Sequence, residues 1–205
     1  MILLAVAAAY LVGAVPIGFL VARAFGGGDI RRHGSGNIGA TNVLRTLGRL
    51  PAILTLLGDI VKGYVAVALA AQLSGHADAM TAAGAVAAVV GNCWSVFLGF
   101  RGGKGGATGL GAFLRLVPLA TLAALPVFLV VAATTRFVSL ASVLSAACVP
   151  FGALALGAPR PYVIGALGAA AVVILRHREN IARLRAGTER RLGERDTPSP
   201  QGSRP

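Results

Sequence analysis

The 205-residue sequence predicts an all-α fold, a polytopic membrane bundle of seven transmembrane helices, some short or broken. Three observations carry that expectation. Hydrophobic residues make up 56% of the chain and the mean hydropathy is +0.76, too apolar for a soluble domain of this length. Only 13% of residues are charged, and most lie beside apolar runs rather than within them. The formal net charge is nevertheless +12, with its cations where cytoplasmic loops and anionic headgroups favour them. That placement argues for a lipid surface and against nucleic acid as the partner.

Residues 1–22 are apolar, and the first basic residue, Arg23, follows them. A secretory leader carries its charge ahead of its apolar run. The segment therefore reads as a first span with the N-terminus outside and Arg23 inside. Arg23, Arg31, Arg32, Arg45 and Arg49 mark the next stretch as cytoplasmic. A second span over 50–73 contains Asp59 and Lys62, which at i, i+3 share a helix face and are expected to neutralise each other. The connection at 74–78 has an acid and no Lys or Arg, as an outer loop should, and 80–98 returns inward.

The apolar run from Ala107 to Thr135 is longer than the roughly 20 residues one helix needs. Read as one span, it would put Arg136 and the arginine-rich C-terminal stretch outside, against the positive-inside rule. A break at Val117-Pro118 gives a short helix near 105–116 and a fuller one over 118–134, because Pro is favoured at the first helical position. Spans at 137–156 and 161–176 complete seven and leave the C-terminus cytoplasmic. Residues 1–185 form one transmembrane domain on this reading, and 186–205 a polar, disordered cytoplasmic tail. The two cysteines, Cys93 and Cys148, lie in apolar runs and imply no disulfide framework. No metal-ligand cluster or cofactor motif is evident.

Three polar stretches fall on the predicted cytoplasmic face. Gly34-Ser-Gly-Asn-Ile-Gly-Ala-Thr-Asn-Val-Leu-Arg45 is a Gly/Ser/Asn loop leading into a helix, an arrangement that offers orphan N–H groups to an anion. A capped loop tied to its own backbone would account equally for this stretch alone. Gly99-Phe-Arg-Gly-Gly-Lys-Gly-Gly-Ala-Thr108 sets Lys104 on a backbone nearly free of side chains, as a phosphate nest would; a flexible turn anchored to headgroups is the plainer alternative. The nucleotide-binding pattern G-x-x-x-x-G-K-[ST] fails here, with Leu98 and Gly105 at two of its required positions. The third stretch, His177-Arg-Glu-Asn-Ile-Ala-Arg-Leu-Arg-Ala-Gly-Thr-Glu189, follows the last span, with His177 and Asn180 on one helix face. Ser139 and Ser142, one turn apart, start the sixth span.

These stretches together resemble the PlsY family of bacterial membrane glycerol-3-phosphate acyltransferases. The resemblance runs from residue 1 to about 190. It implies seven helices, an active site facing the cytoplasm and location in the bacterial inner membrane. It also implies transfer of the acyl group of acyl phosphate to the sn-1 hydroxyl of glycerol 3-phosphate, giving 1-acyl-glycerol 3-phosphate and phosphate, the first step of phospholipid synthesis. Position by position, it implies that Lys104, His177, Arg45 and Asn180 are catalytic. Substrate-binding roles fall to Ser35, Gly36, Asn37, Gly39, Thr41, Asn42, Gly102, Gly103, Gly105, Thr108, Ser139 and Ser142. No cofactor or metal is expected. The family usually has Gly-His-x-(Phe/Tyr)-Pro ahead of the Gly-rich loop, where this chain has Gly91-Asn-Cys-Trp-Ser95.

Acyl phosphate is a mixed anhydride with a good leaving group, so direct attack by the glycerol hydroxyl is expected, without an acyl-enzyme. His177 or the acceptor's own phosphate is the proton acceptor. A transporter of a phosphorylated metabolite is the main rival, although transporters are commonly built from repeats and no repeat is evident here. An acyltransferase of the His-x-x-x-x-Asp type is disfavoured, since Ile38, Thr81 and Ala182 stand where its acid belongs. A scaffold that merely binds anionic lipid leaves the polar loops unexplained.

Overall fold

The structure, a computed structural model, describes residues 2–194. Among the described residues all regular structure is helical: α1 (Ile2–Ala14), α2 (Ile17–Ala24), α3 (Ala40–Leu47), α4 (Arg49–Leu73), α5 (Asp78–Cys93), α6 (Gly106–Leu116), α7 (Pro118–Thr135), α8 (Val138–Ala155), α9 (Arg160–Arg176) and α10 (Arg178–Arg185), with 3-10 turns at Ile30–Arg32 and Val96–Leu98. Five segments are long and apolar enough to cross a bilayer: Leu3–Ala24, Arg49–Leu73, Asp78–Leu98, Pro118–Thr135 and Val138–Ala155. The chain is a multi-pass membrane protein. Large apolar side chains such as Leu57, Val61, Leu119, Val130, Phe151 and Ile164 stay exposed on its helices, the inverse of a soluble surface and suited to lipid.

The expected first span is present over Leu3–Ala24, but it is built of two helices rather than one. It breaks at Val15-Pro16, because proline has no N–H to donate and its ring obstructs the preceding turn. The carbonyls released there are taken by distant side chains. Ser95 Oγ donates to Ala14 O at 2.6 Å, and Lys62 Nζ donates to Val15 O at 2.7 Å. Lys62 also pairs with Asp59 at 2.7 Å, as expected from their spacing, and donates to Asn92 Oδ1 at 2.9 Å. Buried charge is therefore matched at the point where the break between α1 and α2 meets α4 and α5.

The break expected within residues 107–135 falls at Val117, whose ψ of 67° leaves the helical range, with Pro118 opening α7. The short helix α6, only 11 residues, is wedged against α4. Small residues make that approach possible. A Cβ on Gly111 would lie 1.9 Å from Ile60 O, and one on Gly63 would lie 2.1 Å from Thr108 O. In lipid, where apolar burial does not drive helices together, such backbone contact is a main source of packing energy. The principal core is correspondingly rich in alanine, with Val67, Val89, Phe113, Leu116, Val149 and Val173 filling it. By holding α6 against α4, this packing fixes the Gly-rich loop immediately before α6.

Residues 186–194 have no helix, but they do not leave the bundle. Leu192 N donates to Arg136 O at 2.7 Å, and the Arg136 guanidinium donates back to Leu192 O. The remainder of the expected tail, 195–205, lies outside the described residues.

Candidate active site

A cavity of about 700 Å³ opens at one end of the bundle. Its polar walls are the loop from Ser35 to Arg45, the Gly-rich loop from Gly102 to Thr108, the start of α8 with Ser139 and Ser142, and the stretch from Arg176 to Arg190. The residues expected at the site therefore all border one cavity. Its apolar walls continue between helices, formed by Leu110 and Phe113 of α6, Leu125 and Phe128 of α7, and Ala146 and Val149 of α8.

The first loop is shaped by its own side chains. Asn42 is buried and gives both amide functions to the loop. Its Nδ2 donates to Asn37 O at 2.8 Å, His33 O at 3.0 Å and Ile30 O at 3.3 Å, while Oδ1 accepts Ser35 N at 2.9 Å. Asn37 Oδ1 accepts Gly39 N at 2.8 Å, a turn that starts α3 in the manner typical of Asn. Both asparagines thus set the position of Ser35, Thr41 and Arg45 around the cavity. Arg45 also reaches across to Arg190 O at 3.5 Å.

The Gly-rich loop departs from the expected nest in one respect. Gly102 N and Gly103 N do not point free: they donate to Cys93 O at 3.2 Å and Asn92 O at 2.9 Å, the last carbonyls of α5. A Cβ on Gly102 would lie 2.1 Å from Asn92 O, so only glycine permits this pairing. The Gly103 carbonyl is held from the other side by Arg176, whose Nε and Nη2 donate at 3.2 and 3.1 Å while its guanidinium covers the Trp94 ring at 5.1 Å. Gly105, with φ of +81°, then turns the chain into α6. The N–H groups of Gly106, Ala107 and Thr108, in the first turn of α6, have no helical carbonyl to donate to, and these three residues line the cavity. Thr108 Oγ1 is buried there without a hydrogen bond among the described residues.

Lys104 Nζ donates to Asn180 Oδ1, and Asn180 Nδ2 donates to Glu189 Oε1. Glu189 also accepts from Ser139 Oγ at 2.6 Å and Arg183 Nε at 2.7 Å. Burial alone would raise the Glu189 pKa, but these three hydrogen bonds and the Arg183 charge outweigh it and hold the carboxyl below its ordinary range. Burial and the Arg183 charge push the Lys104 ammonium below its ordinary value, opposed by Glu189. His177 closes α9: its Nδ1 lies 2.8 Å from Val173 O. A carbonyl only accepts, so Nδ1 carries the hydrogen and Nε2 is left as the acceptor of the neutral ring. Burial, with Lys104 nearby, lowers the His177 pKa against the raising effect of the Val173 bond, which favours that neutral form.

The sequence alone gives no expectation of a role for Glu189, Arg176 or Arg183. Arg176 adjoins His177 and is the last residue of α9, a position where arginine is expected for reasons of helix dipole alone. Glu189 stands among Arg183, Arg185, Arg190 and Arg191, and that isolation was its one visible signal.

A membrane-embedded helical bundle with a cavity that is cationic at its mouth and apolar between its helices defines a class: integral membrane proteins that handle a phosphate-bearing lipid or lipid precursor. The comparisons are specific within it. The family model described as glycerol-3-phosphate acyltransferase matches residues 3–187. A glycerol-3-phosphate acyltransferase of Geobacter sulfurreducens is 53% identical over 93% of this chain and 97% of its own, and glycerol-3-phosphate acyltransferase 2 of Moorella thermoacetica is 48% identical over 94% and 98%. The crystal structure of PlsY (YgiH), an integral membrane glycerol 3-phosphate acyltransferase in its glycerol 3-phosphate form, superposes with a TM-score of 0.88 at 37% identity, covering 94% of this chain and 96% of that one. Its lysophosphatidic acid form gives 0.86 at 36% identity. This chain belongs to the glycerol-3-phosphate acyltransferase family.

Proposed function

We propose that the protein transfers the acyl group of acyl phosphate to the sn-1 hydroxyl of glycerol 3-phosphate, as the enzyme of the first step of phospholipid synthesis. The observation that carries this reading is the composition of one cavity. Lys104, Arg45 and the first-turn amides of α6 offer positive potential to phosphate, and the Leu110, Phe113, Leu125, Phe128 and Val149 walls offer apolar contact to an acyl chain. Solved relatives of the same fold carry glycerol 3-phosphate and lysophosphatidic acid, the acceptor and product this chemistry requires.

In the proposed step the glycerol oxygen forms a bond to the acyl carbonyl carbon, and the bond from that carbon to the bridging phosphate oxygen breaks. Phosphate leaves with the bridging oxygen and its electron pair. Lys104 and Arg45 stabilise charge as it moves onto phosphate. The hydroxyl proton passes to His177 Nε2, the acceptor left by the Nδ1 bond to Val173. Asn180 and Glu189 hold the Lys104 ammonium in place. Ser35, Gly36, Gly39, Thr41, Thr108, Ser139 and Ser142 line the substrate cavity, with Asn37 and Asn42 acting through the loop they organise.

On this reading α6 and α9 complete seven transmembrane segments, the N-terminus lies outside, and the cavity faces the cytoplasm from the inner membrane. Residues 1–185 are then the catalytic domain, with Glu189 returning to it from the polar segment that follows. The test is product formation by purified protein given glycerol 3-phosphate with acyl phosphate or with acyl-coenzyme A. Lysophosphatidate from acyl phosphate is expected; none from a folded sample overturns the reading. Direct transfer further predicts that labelled inorganic phosphate does not exchange into acyl phosphate when glycerol 3-phosphate is omitted, since such exchange requires an acyl-enzyme.

A further inference from the structure

A second cavity, of about 490 Å³, lies against the first and is lined by Asp29, Arg31, Gly36, Phe100, Arg101, Gly102 and Arg176. Gly36, Gly102 and Arg176 line both, so the two are separated only by the loops at Gly36 and Gly102 and by the Arg176 side chain. None of Asp29, Arg31, Phe100 or Arg101 borders the larger cavity. The charges are unequal: three guanidiniums face one carboxylate. Asp29 is ionised at neutral pH, held at a pKa of about 2 by its hydrogen bond and ion pair with Arg31. The local balance is therefore a surplus of two positive charges.

The donors are unequally committed. Arg31 is clamped to Asp29 through Nε and Nη2, and Arg176 to the Gly103 carbonyl through the same two nitrogens. Arg101 is exposed; its backbone N–H donates to Leu98 O at 3.3 Å, and its side chain makes no hydrogen bond, ion pair or ring contact among the described residues. The backbone N–H groups of Gly36 and Gly102 are taken by His33 O and Cys93 O. What remains to a ligand is the whole Arg101 fork and the outer edges of two fixed guanidiniums. A planar guanidinium pairs best with phosphate oxygens, and a surplus of two positive charges matches a phosphate dianion.

We propose that this cavity is a second phosphate-anion site, a station between bulk water and the acyl-transfer cavity, with Arg101 as its main contact. The proposal rests on the acyl-transfer reading for its purpose. That reaction releases one product that is lipid and one that is a small dianion. The lipid product has a route between helices, whereas phosphate needs an aqueous, cationic one. The same chemistry would take a free phosphate compound or the phosphate of an anionic lipid headgroup.

Trp94 provides a direct readout, being the single tryptophan of the chain and lying under the Arg176 guanidinium. Its fluorescence is titrated with inorganic phosphate in detergent free of phospholipid, with sodium chloride of equal ionic strength as control. A saturable change is expected in the wild type and in Lys104→Ala, whose acyl-transfer site is weakened. Arg101→Ala, an exposed substitution that leaves the fold intact, is expected to weaken the phosphate response about tenfold, the scale of a lost charge-assisted contact, and Arg101→Glu to abolish it. An identical phosphate titration in Arg101→Ala and wild type, or a response lost in Lys104→Ala and kept in Arg101→Ala, overturns the proposal.

Nanodiscs with and without phosphatidylglycerol separate the sources: a weaker apparent phosphate affinity with the anionic lipid assigns the arginines to headgroups, and an unchanged one assigns them to free phosphate. Because the readout is binding, a protein that titrates but forms no lysophosphatidate refutes the acyl-transfer reading and leaves the site standing. The converse result refutes the site alone.

Discussion

At His177, hydrogen bonding and burial act together. The Nδ1–H bond to Val173 O fixes the tautomer, and desolvation lowers the pKa, so the ring is neutral with Nε2 able to accept a proton at pH 7. A lowered pKa means the neutral form persists to lower pH, and activity is lost as pH falls through that shifted value. The kcat/KM profile should therefore show an acid limb below the ordinary histidine value of about 6.5. His177→Gln should remove the limb and reduce kcat by about 10²–10⁴. A limb that survives unshifted in His177→Gln would move the proton to the substrate's phosphate. Much of the cavity's polar lining was legible in the sequence, because glycine, asparagine and lone cations stand out in an apolar chain, while the roles expected of it came from the family resemblance. Glu189 was not, because its role depends on a chain reversal that brings it back to Ser139, 50 residues earlier.

Among the elements, the Gly-rich loop owes its shape to groups on other helices. Lys62 holds Asn92 and the Val15 carbonyl, Asn92 holds Gly103 N, and Arg176 holds Gly103 O. Arg176→Ala should therefore raise KM for glycerol 3-phosphate with a smaller loss in kcat, because the lysine is displaced rather than removed; equal losses in both would indicate another role. Lys62→Met leaves Asp59 buried without its partner, a cost of about 3–5 kcal/mol. Lys62→Met together with Asp59→Leu should recover most of it, as measured by thermal unfolding in detergent. Asn92 stands where the family resemblance leads one to expect histidine, and its amide oxygen accepts from Lys62. The break at Val117-Pro118 was legible from segment length and charge parity. The break at Pro16 was not, since Pro126 and Pro150 sit inside continuous helices. What distinguishes Pro16 is that Ser95 and Lys62, 81 and 47 residues from their acceptors, satisfy the freed carbonyls, and local sequence does not show that.

For the whole molecule, the bundle separates two environments across one reaction. On the proposed function, phosphate chemistry collects where loops from four parts of the chain converge, and the acyl chain is left to the space between α6, α7 and α8. This arrangement requires the convergent loops to share one side of the membrane. A cysteine placed at 136 should react with a membrane-impermeant reagent only after the cytoplasmic face is opened, and one at 160 should react from outside; the reverse pattern would refute the seven-span topology. The central claim is that Lys104 holds substrate phosphate while an acyl group is transferred. Its most direct test is lysophosphatidate formation from acyl phosphate by wild type and Lys104→Ala, purified and shown to be equally folded. The account predicts rapid product in the first and a loss of about 10²–10³ in kcat/KM in the second, the scale of a lost transition-state contact. Full activity in Lys104→Ala would contradict it.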